Sequence, residues 1–351
     1  MPSASFPSFI EFHNTPAPEP SPGGAGWILP RYPRAVYETL GSPGFLTAQE
    51  STGVELRFVT DARHLRVFVS ALERATEVTI FKGDYHHVGY TLAAGTVQCL
   101  HLTPPDLFAK VRPEALRKSF HPDVWRVVFD RGTMVFHGID TFGAAIRPPR
   151  PDEKPALRWL AYGSSITHSS RNGYPHRAAA RLNVDVQNKG LAGSCYIEPT
   201  AAEFIATGCD WDFVTLEMGV NLRATHTPEE FERRARHIVA RCTAAKPGRP
   251  VVLITLFQNA AHQLIEPDAI TAKQEAFNAI LRQIAREFAD RHVHLIEGTD
   301  IVDDLSYLTS DLLHPNDFGH ARMAENLSRL LLPLVSSLRT PGGISRPSAQ
   351  S

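Results

Sequence analysis

Cysteine is scarce in this chain. Four occur among 351 residues (Cys99, Cys195, Cys209 and Cys242), and no two form a C-x-x-C pair. That excludes a disulfide-stapled scaffold and a cysteine-rich zinc site; free, buried thiols are expected instead. An excess of charge of one sign is also lacking. The 36 Lys and Arg nearly balance 37 Asp and Glu, leaving a net charge of −1. Such a balance gives no basic footprint for nucleic acid or an anionic membrane surface. Long apolar runs are missing too. The longest, such as residues 251–257, fall far short of the ~20 residues a membrane-spanning helix needs. The first thirty residues hold neither Lys nor Arg and no continuous apolar stretch. No signal peptide is therefore expected, and the chain reads as cytoplasmic. The sixteen histidines are scattered, and the one adjacent pair, His86-His87, has no carboxylate or cysteine cluster beside it. Neither a metal nor a cofactor is expected.

What is present is an ordinary globular composition, 43% hydrophobic and 21% charged, in a chain long enough for one large domain or two of common size. Residues 15–24 are a Pro/Gly-rich turn segment that can form neither a helix interior nor a central strand. From Trp27 to about Phe142 the texture is β. Residues 54–59, 65–69 and 125–129 alternate apolar and polar side chains, with turns such as Asp130-Arg131-Gly132 between such runs. Short strands at this spacing predict a β-sandwich or jelly roll.

Residues 147–155, with four prolines, read as a linker, and after them the texture changes. Strand-like runs at 157–162, 184–187, 213–217, 251–256 and 293–296 alternate with helical ones at about 174–182, 228–245, 268–291 and 317–338. This is the α/β pattern of a parallel sheet with helices on both faces. The helix at 228 has a clear start: Thr227 as N-cap, Pro228 at N1, and Glu230 to complete a capping box. The expected division is a loop-rich segment over 1–26, a β-sandwich over 27–150, an α/β domain over 151–339 and a disordered tail over 340–351.

Ligands of an open parallel sheet bind outside the carboxyl ends of its strands. Ser165, in Gly163-Ser164-Ser165-Ile166-Thr167, follows the first strand and opens a helix. Asn188 to Gly193 follow the second strand, and Gly219-Val220-Asn221 the third. Asp311-Leu312-Leu313-His314 precedes the last helix, where Asn316 is the candidate N-cap. One turn separates Asp311 from His314, so the carboxylate can hold Nδ1 while Nε2 faces a serine. Ester hydrolysis develops charge on a carbonyl oxygen, which preset N–H groups must meet. The backbone N–H of Ser165 and of Gly193 and the side-chain amide of Asn221 are the candidates. Alone, each block is a helix cap, a turn glycine, an Asx turn or a loop ion pair. Their occurrence together and in order is what carries meaning. The Gly-x-Ser-x-Gly elbow of α/β-hydrolases is absent.

These four blocks resemble, in order, the conserved blocks of the SGNH/GDSL hydrolases, over about residues 159–332. The resemblance implies a flavodoxin-like sheet and metal-free hydrolysis of carboxylic esters, thioesters or O-acetyl groups. It makes Ser165 the nucleophile, His314 the base, Asp311 its orienter, and Ser165, Gly193 and Asn221 the oxyanion donors. Ser164 stands where the family most often has Asp, in a form that looks like a Gly-Ser-Ser-Ile-Thr subgroup. Leu222 stands where many members have Asp. The front half resembles the β-rich domain that precedes this module in some members, Phe81 to Tyr85 looking like a variant of its Gly-x-Asp-Leu-Tyr motif. Two-domain members of this kind include carbohydrate deacetylases. The resulting expectation is a serine esterase removing short acyl groups, acetyl above all, from a polar alcohol such as a sugar. A thioesterase or longer-chain lipase is the alternative within enzymes, and a non-catalytic carbohydrate-binding protein the alternative outside them. Cys195, Phe257, Asn259, His262 and Asp84 are candidates for lining the substrate site. The expected partner is a small-molecule or oligosaccharide ester; a homo-oligomer is compatible with the sequence.

Overall fold

The computed structural model describes residues 7–21, 23 and 25–339. The tail expected to be disordered, 340–351, lies outside the described residues. Among the described residues, eleven strands build the front half. They are β1 (Glu11–His13), β2 (Glu19–Pro20), β3 (Trp27–Ile28), β4 (Glu55–Thr60), β5 (Leu65–Ala71), β6 (Thr76–Lys82), β7 (Tyr85–Leu92), β8 (Gln98–Leu102), β9 (Val124–Phe129), β10 (Met134–Asp140) and β11 (Ile146–Arg147). One antiparallel sheet runs β1-β4-β9-β6-β7, with β11 also on β4; the other runs β2-β3-β10-β5-β8. Their inner faces share one core, in which Leu56, Phe58, Ile80 and Val127 of the first sheet meet Val67, Val69 and Phe136 of the second. This is a β-sandwich. The Pro-rich segment contributes only β2, at a sheet edge, where a missing N–H costs no ladder bond.

The back half is one parallel sheet of β12 (Arg158–Tyr162), β13 (Asp185–Asn188), β14 (Phe213–Glu217), β15 (Val251–Ile254) and β16 (Val293–Ile296). Its order is β13-β12-β14-β15-β16. In terms of the five strands this is 2-1-3-4-5, the flavodoxin-like order, whose switch point lies beside the first strand. The main helices fall where the sequence predicts them: Tyr174–Leu182, Pro228–Ala245, Ala269–Glu287 and Asp317–Arg339. Alternate residues of each strand serve opposite faces. Leu160, Tyr162, Val214 and Leu216 join Phe231, Ile238 and Phe277 in one core. Trp159, Ala161, Phe213 and Val252 join Ala178, Leu182, Met323 and Leu327 in the other. The start of helix 228–245 is half as expected. The Thr227 hydroxyl accepts the Glu230 N–H (3.3 Å), but the Glu230 carboxylate goes to Arg233 and Arg234 rather than back to the cap.

The two halves meet through charge. The alternation in β4 places Glu55 and Arg57 on its outer face, and the structure buries that face against β13. Arg57 donates two bonds to Asp185, each 2.7 Å, and one to Glu55 at 2.7 Å and to Glu11 at 3.2 Å. His13 Nε2 lies 2.7 Å from the Val186 carbonyl. Glu11, His13 and Asp185 bring ligand-type atoms within 4.8 Å of one another, but Arg57 and, at Glu11, Lys154 already pair these carboxylates. Cys195, Cys209 and Cys242 are buried as expected, whereas Cys99 is exposed, being on the outer face of β8. Among the described residues no helix is long and apolar enough to cross a membrane.

Candidate active site

The chain leaves β12 at Tyr162 and turns at once into a four-residue helix, Ser165–His168. Gly163 permits the turn: a Cβ there would come within 2.3 Å of Thr167 Oγ1 and 2.5 Å of Glu217 Oε2. Ser164 is the N-cap. Its hydroxyl accepts the Ile166 N–H (3.2 Å), and its own N–H donates to Glu217 Oε2 (2.7 Å). The substitution of Ser for the family's Asp therefore keeps a capping side chain at this position. Ser165 follows at the helix start, with its hydroxyl toward the open edge of the sheet.

His314 meets it there. Its Nε2 lies 2.8 Å from Ser165 Oγ, and its Nδ1 lies 2.7 Å from Asp311 Oδ2. The other Asp311 oxygen accepts the N–H groups of Leu313 and His314 (both 2.9 Å) and the Thr309 hydroxyl (2.7 Å). Both readings of Asp-x-x-His thus hold at once: one oxygen folds the turn and the other orients the imidazole. Burial alone would raise the Asp311 carboxyl. The bonds from the His314 side chain and backbone outweigh that and hold it well below the usual range. A permanently ionised partner at Nδ1 keeps the proton on that nitrogen and leaves Nε2 to accept from Ser165. Asn316 caps the following helix as expected, accepting the Gly319 N–H at 2.7 Å.

Gly193 has φ +68°, in the left-handed region, and a Cβ there would meet nothing within 4 Å. The backbone twist, not crowding in this state, is what asks for glycine. Asn221 Oδ1 accepts the Cys195 N–H (3.1 Å), so that its oxygen is tied to the loop after Gly193. Among the described residues no protein acceptor is bonded to the N–H of Ser165, the N–H of Gly193 or Nδ2 of Asn221.

The residues proposed to line the site have other occupations. Cys195 is buried, its thiol over the Glu217 carbonyl at 3.8 Å. Phe257 is buried edge-on to Tyr174. Asn259 caps a short turn, accepts from Ala261 N–H (3.0 Å) and donates to the Phe257 carbonyl (2.7 Å) and to Gln274 (3.0 Å). His262 is held by Gln274 and by the Asn259 N–H. This loop instead supports its neighbour, since the Ala260 N–H donates to the Leu312 carbonyl (2.8 Å) within the Asp311–His314 turn. Asp84 accepts the N–H groups of Ser119 and Phe120 (2.7 and 2.8 Å) and faces a different cleft, with Arg126 and His176. Leu222 is wholly buried in the core, so its place asks for an apolar residue.

Glu217 was not expected. It ends β14, fully buried, under the turn that carries Ser165, and accepts from Ser164 N–H and from the Thr167 hydroxyl (3.1 Å). The signal was an acid ending the apolar run Phe213-Val-Thr-Leu just before Gly219-Val220-Asn221. Burial pushes its carboxyl up to about 7 from 4.5, against the lowering effect of the Ser164 and Thr167 bonds. The unfolded chain loses this proton near 4.5 and the folded one only near 7. Its contribution to stability is therefore whole below about 4.5 and lost as pH rises through about 7, roughly 3 kcal/mol for the full shift. Glu217→Gln removes that dependence. The melting temperature of the variant relative to wild type should climb between pH 5 and 8; a flat difference would refute a proton held by burial.

The fold is thus an open parallel sheet in 2-1-3-4-5 order, with hydroxyl, imidazole and carboxylate in hydrogen-bonded sequence at its carboxyl edge. Residues 161–322 match the GDSL-like Lipase/Acylhydrolase family. That part of the chain is a domain of this family, and the protein is by that membership a carboxylic ester hydrolase. No curated protein matches in sequence. Among solved structures, the fold is similar to the salicylyl-acyltransferase SsfX3 from a tetracycline biosynthetic pathway, at 18% identity over 96% of this chain and 98% of that one, TM-score 0.74. It is also similar to a family two carbohydrate esterase from Clostridium thermocellum in complex with cellohexaose, at 13% identity over 93% and 99%, TM-score 0.62. A family two carbohydrate esterase from Cellvibrio japonicus aligns at 12% identity over 95% and 97%, TM-score 0.61. These likenesses extend over both halves of the chain.

Proposed function

We propose that the protein removes short acyl groups, acetyl above all, from a polar alcohol such as a carbohydrate, through an acyl-enzyme on Ser165. The observation that carries this is the Ser165–His314–Asp311 chain, at 2.8 and 2.7 Å, together with three N–H donors that bond no protein acceptor among the described residues. His314 takes the Ser165 proton as the oxygen attacks the ester carbonyl. The carbonyl oxygen becomes anionic and rests on Ser165 N–H, Gly193 N–H and Asn221 Nδ2. His314 returns the proton to the departing alcohol, and water, deprotonated by the same imidazole, then frees the acid.

The carbohydrate part of this reading is supported by the fold shared with the two carbohydrate esterases. An ester panel tests it. Turnover of acetyl esters should exceed that of butyryl and octanoyl esters, and acetate should be released from acetylated oligosaccharides. Faster octanoyl turnover would overturn the short-acyl reading in favour of a lipase. The fold shared with a salicylyl-acyltransferase supports a second reading, in which an alcohol instead of water takes the acyl group. Product analysis with added alcohol acceptors separates the two.

A further inference from the structure

The loop that carries Gly193 is gripped by residues from the other half of the molecule. Arg31 lies three residues beyond β3, wholly buried. Its guanidinium donates to four backbone carbonyls: Thr47 (2.6 Å) and Glu50 (2.9 Å) on its own side, Asn188 (3.1 Å) at the end of β13 and Gly190 (2.7 Å) on the loop after it. Its Nη2 also sits 3.0 Å from Nε2 of His168, the last residue of the helix that begins with Ser165. The grip has further points. The Tyr32 hydroxyl donates to the Lys189 carbonyl, Lys189 Nζ donates back to the Arg31 carbonyl (2.6 Å), and the hydroxyls of Ser194 and Thr47 are 3.2 Å apart. Gly190 is pressed against the Ser165 helix so closely that a Cβ would come within 2.3 Å of the His168 nitrogen.

From this geometry we infer that Arg31 is a positioning residue for the oxyanion site, so that the front half of the chain sets where the Gly193 N–H points. The inference rests on Gly193 being an oxyanion donor. Only a planar fork serves these carbonyls together, because lysine offers its three donors from a single atom. One carbonyl belongs to the loop, one to the strand end that feeds it, two to their support, and one contact reaches the helix of Ser165. Loss of the fork frees the chain at Asn188 and Gly190, just before Gly193. A donor misplaced by about 1 Å serves the transition state poorly while leaving the ground state nearly as well bound.

The test compares Arg31→Lys and Tyr32→Phe with wild type. Each is measured for kcat and KM on an acetyl ester per active site titrated, for the rate at which an organophosphonate labels Ser165, and for melting temperature. Arg31→Lys should lose about tenfold or more in kcat and in labelling rate, with KM within roughly threefold. Tyr32→Phe, which deletes one oxygen and keeps the ring, should lose a few-fold in the same two quantities. A merely structural role would lower the melting temperature and the titrated fraction while leaving kcat per site unchanged; that outcome, or a change in KM alone, overturns the inference. If Arg31→Lys does not fold, Tyr32→Phe decides by the same criteria. The labelling rate reads the inference even if no ester in the panel is hydrolysed, a result that would count against the substrate reading only.

Discussion

Ser165→Ala is expected to lose at least about four orders of magnitude in kcat on any ester the wild type hydrolyses. The variant keeps the N–H donors and the imidazole but has no oxygen to form the acyl-enzyme. What survives is the contribution of the oxyanion donors to direct attack by water, which is small beside the covalent route. The fold should be indifferent. Ser165 is partly exposed, and the protein bond its hydroxyl makes is to His314. The helix is capped by Ser164, not by Ser165. A melting temperature within a degree or two of wild type should therefore accompany the loss. The three side chains act as one device, so Ser165→Ala with His314→Ala should be no slower than Ser165→Ala alone. Steady-state ester hydrolysis beside thermal melts reads all of this. Substantial activity in a folded Ser165→Ala protein would refute a covalent route through this residue.

The second large effect concerns folding. Arg57→Ala should destabilise the protein by about 3–5 kcal/mol. The side chain is 1% exposed and pairs with Asp185, 8% exposed, and Glu55, 5% exposed, so removal strands the buried Asp185 carboxylate and leaves Glu55 with Arg126 alone. Burial alone would raise both carboxyls. Arg126 and then Arg57 outweigh it for Glu55, and Arg57 first and His13 second for Asp185, so both lie below the usual range. Their contribution is present above the ordinary carboxylate range and lost only as pH falls through their depressed values. At neutral pH the network is at full strength and the effect is maximal. Surface pairs such as Arg233 with Glu230 are worth far less, because water already solvates both partners. Denaturant midpoints measure the difference. Adding Asp185→Asn to an Arg57→Met variant, with Glu55 kept as the partner of Arg126, should recover much of the loss, since the cost lies in unpaired charge more than in a missing contact. Destabilisation under about 1 kcal/mol for Arg57→Ala would mean that water reaches these carboxylates.

Much of this molecule was legible before any coordinates. Phe213–Glu217 and Val293–Ile296 form strands at the expected residues, and Tyr174–Leu182 and Pro228–Ala245 form helices at the expected ones. Ser165, Asp311 and His314 come together as expected. The candidates drawn from the strand-end rule fared differently. That rule places Phe257, Asn259 and His262 at the right edge of the sheet, yet Phe257 packs into the core against Tyr174, and Asn259 and His262 are occupied in holding a loop together. A position along a strand tells which edge a residue reaches; it does not tell whether the side chain faces the cleft or its own backbone. Glu217 was within reach of a closer reading, because a charge ending an apolar buried strand asks for a reason. Arg31 was not: it is a lone arginine beside a proline, and its acceptors lie as far as 159 residues away.

Residue order alone determined the two textures, the parallel sheet with its helices, and the meeting of the serine, histidine and aspartate side chains. Periodicity, capping and a carboxylate one turn from an imidazole are short-range properties, complete within a few residues. Tertiary structure decided what covers each face and which partner each charge receives. The outer face of β4 reads as solvated and is buried because β13 lies against it. The loop of Gly193 reads as a free turn and is clamped by an arginine 159 residues earlier in the chain. Burial and charge compensation depend on which distant segments meet, and no local pattern contains that information.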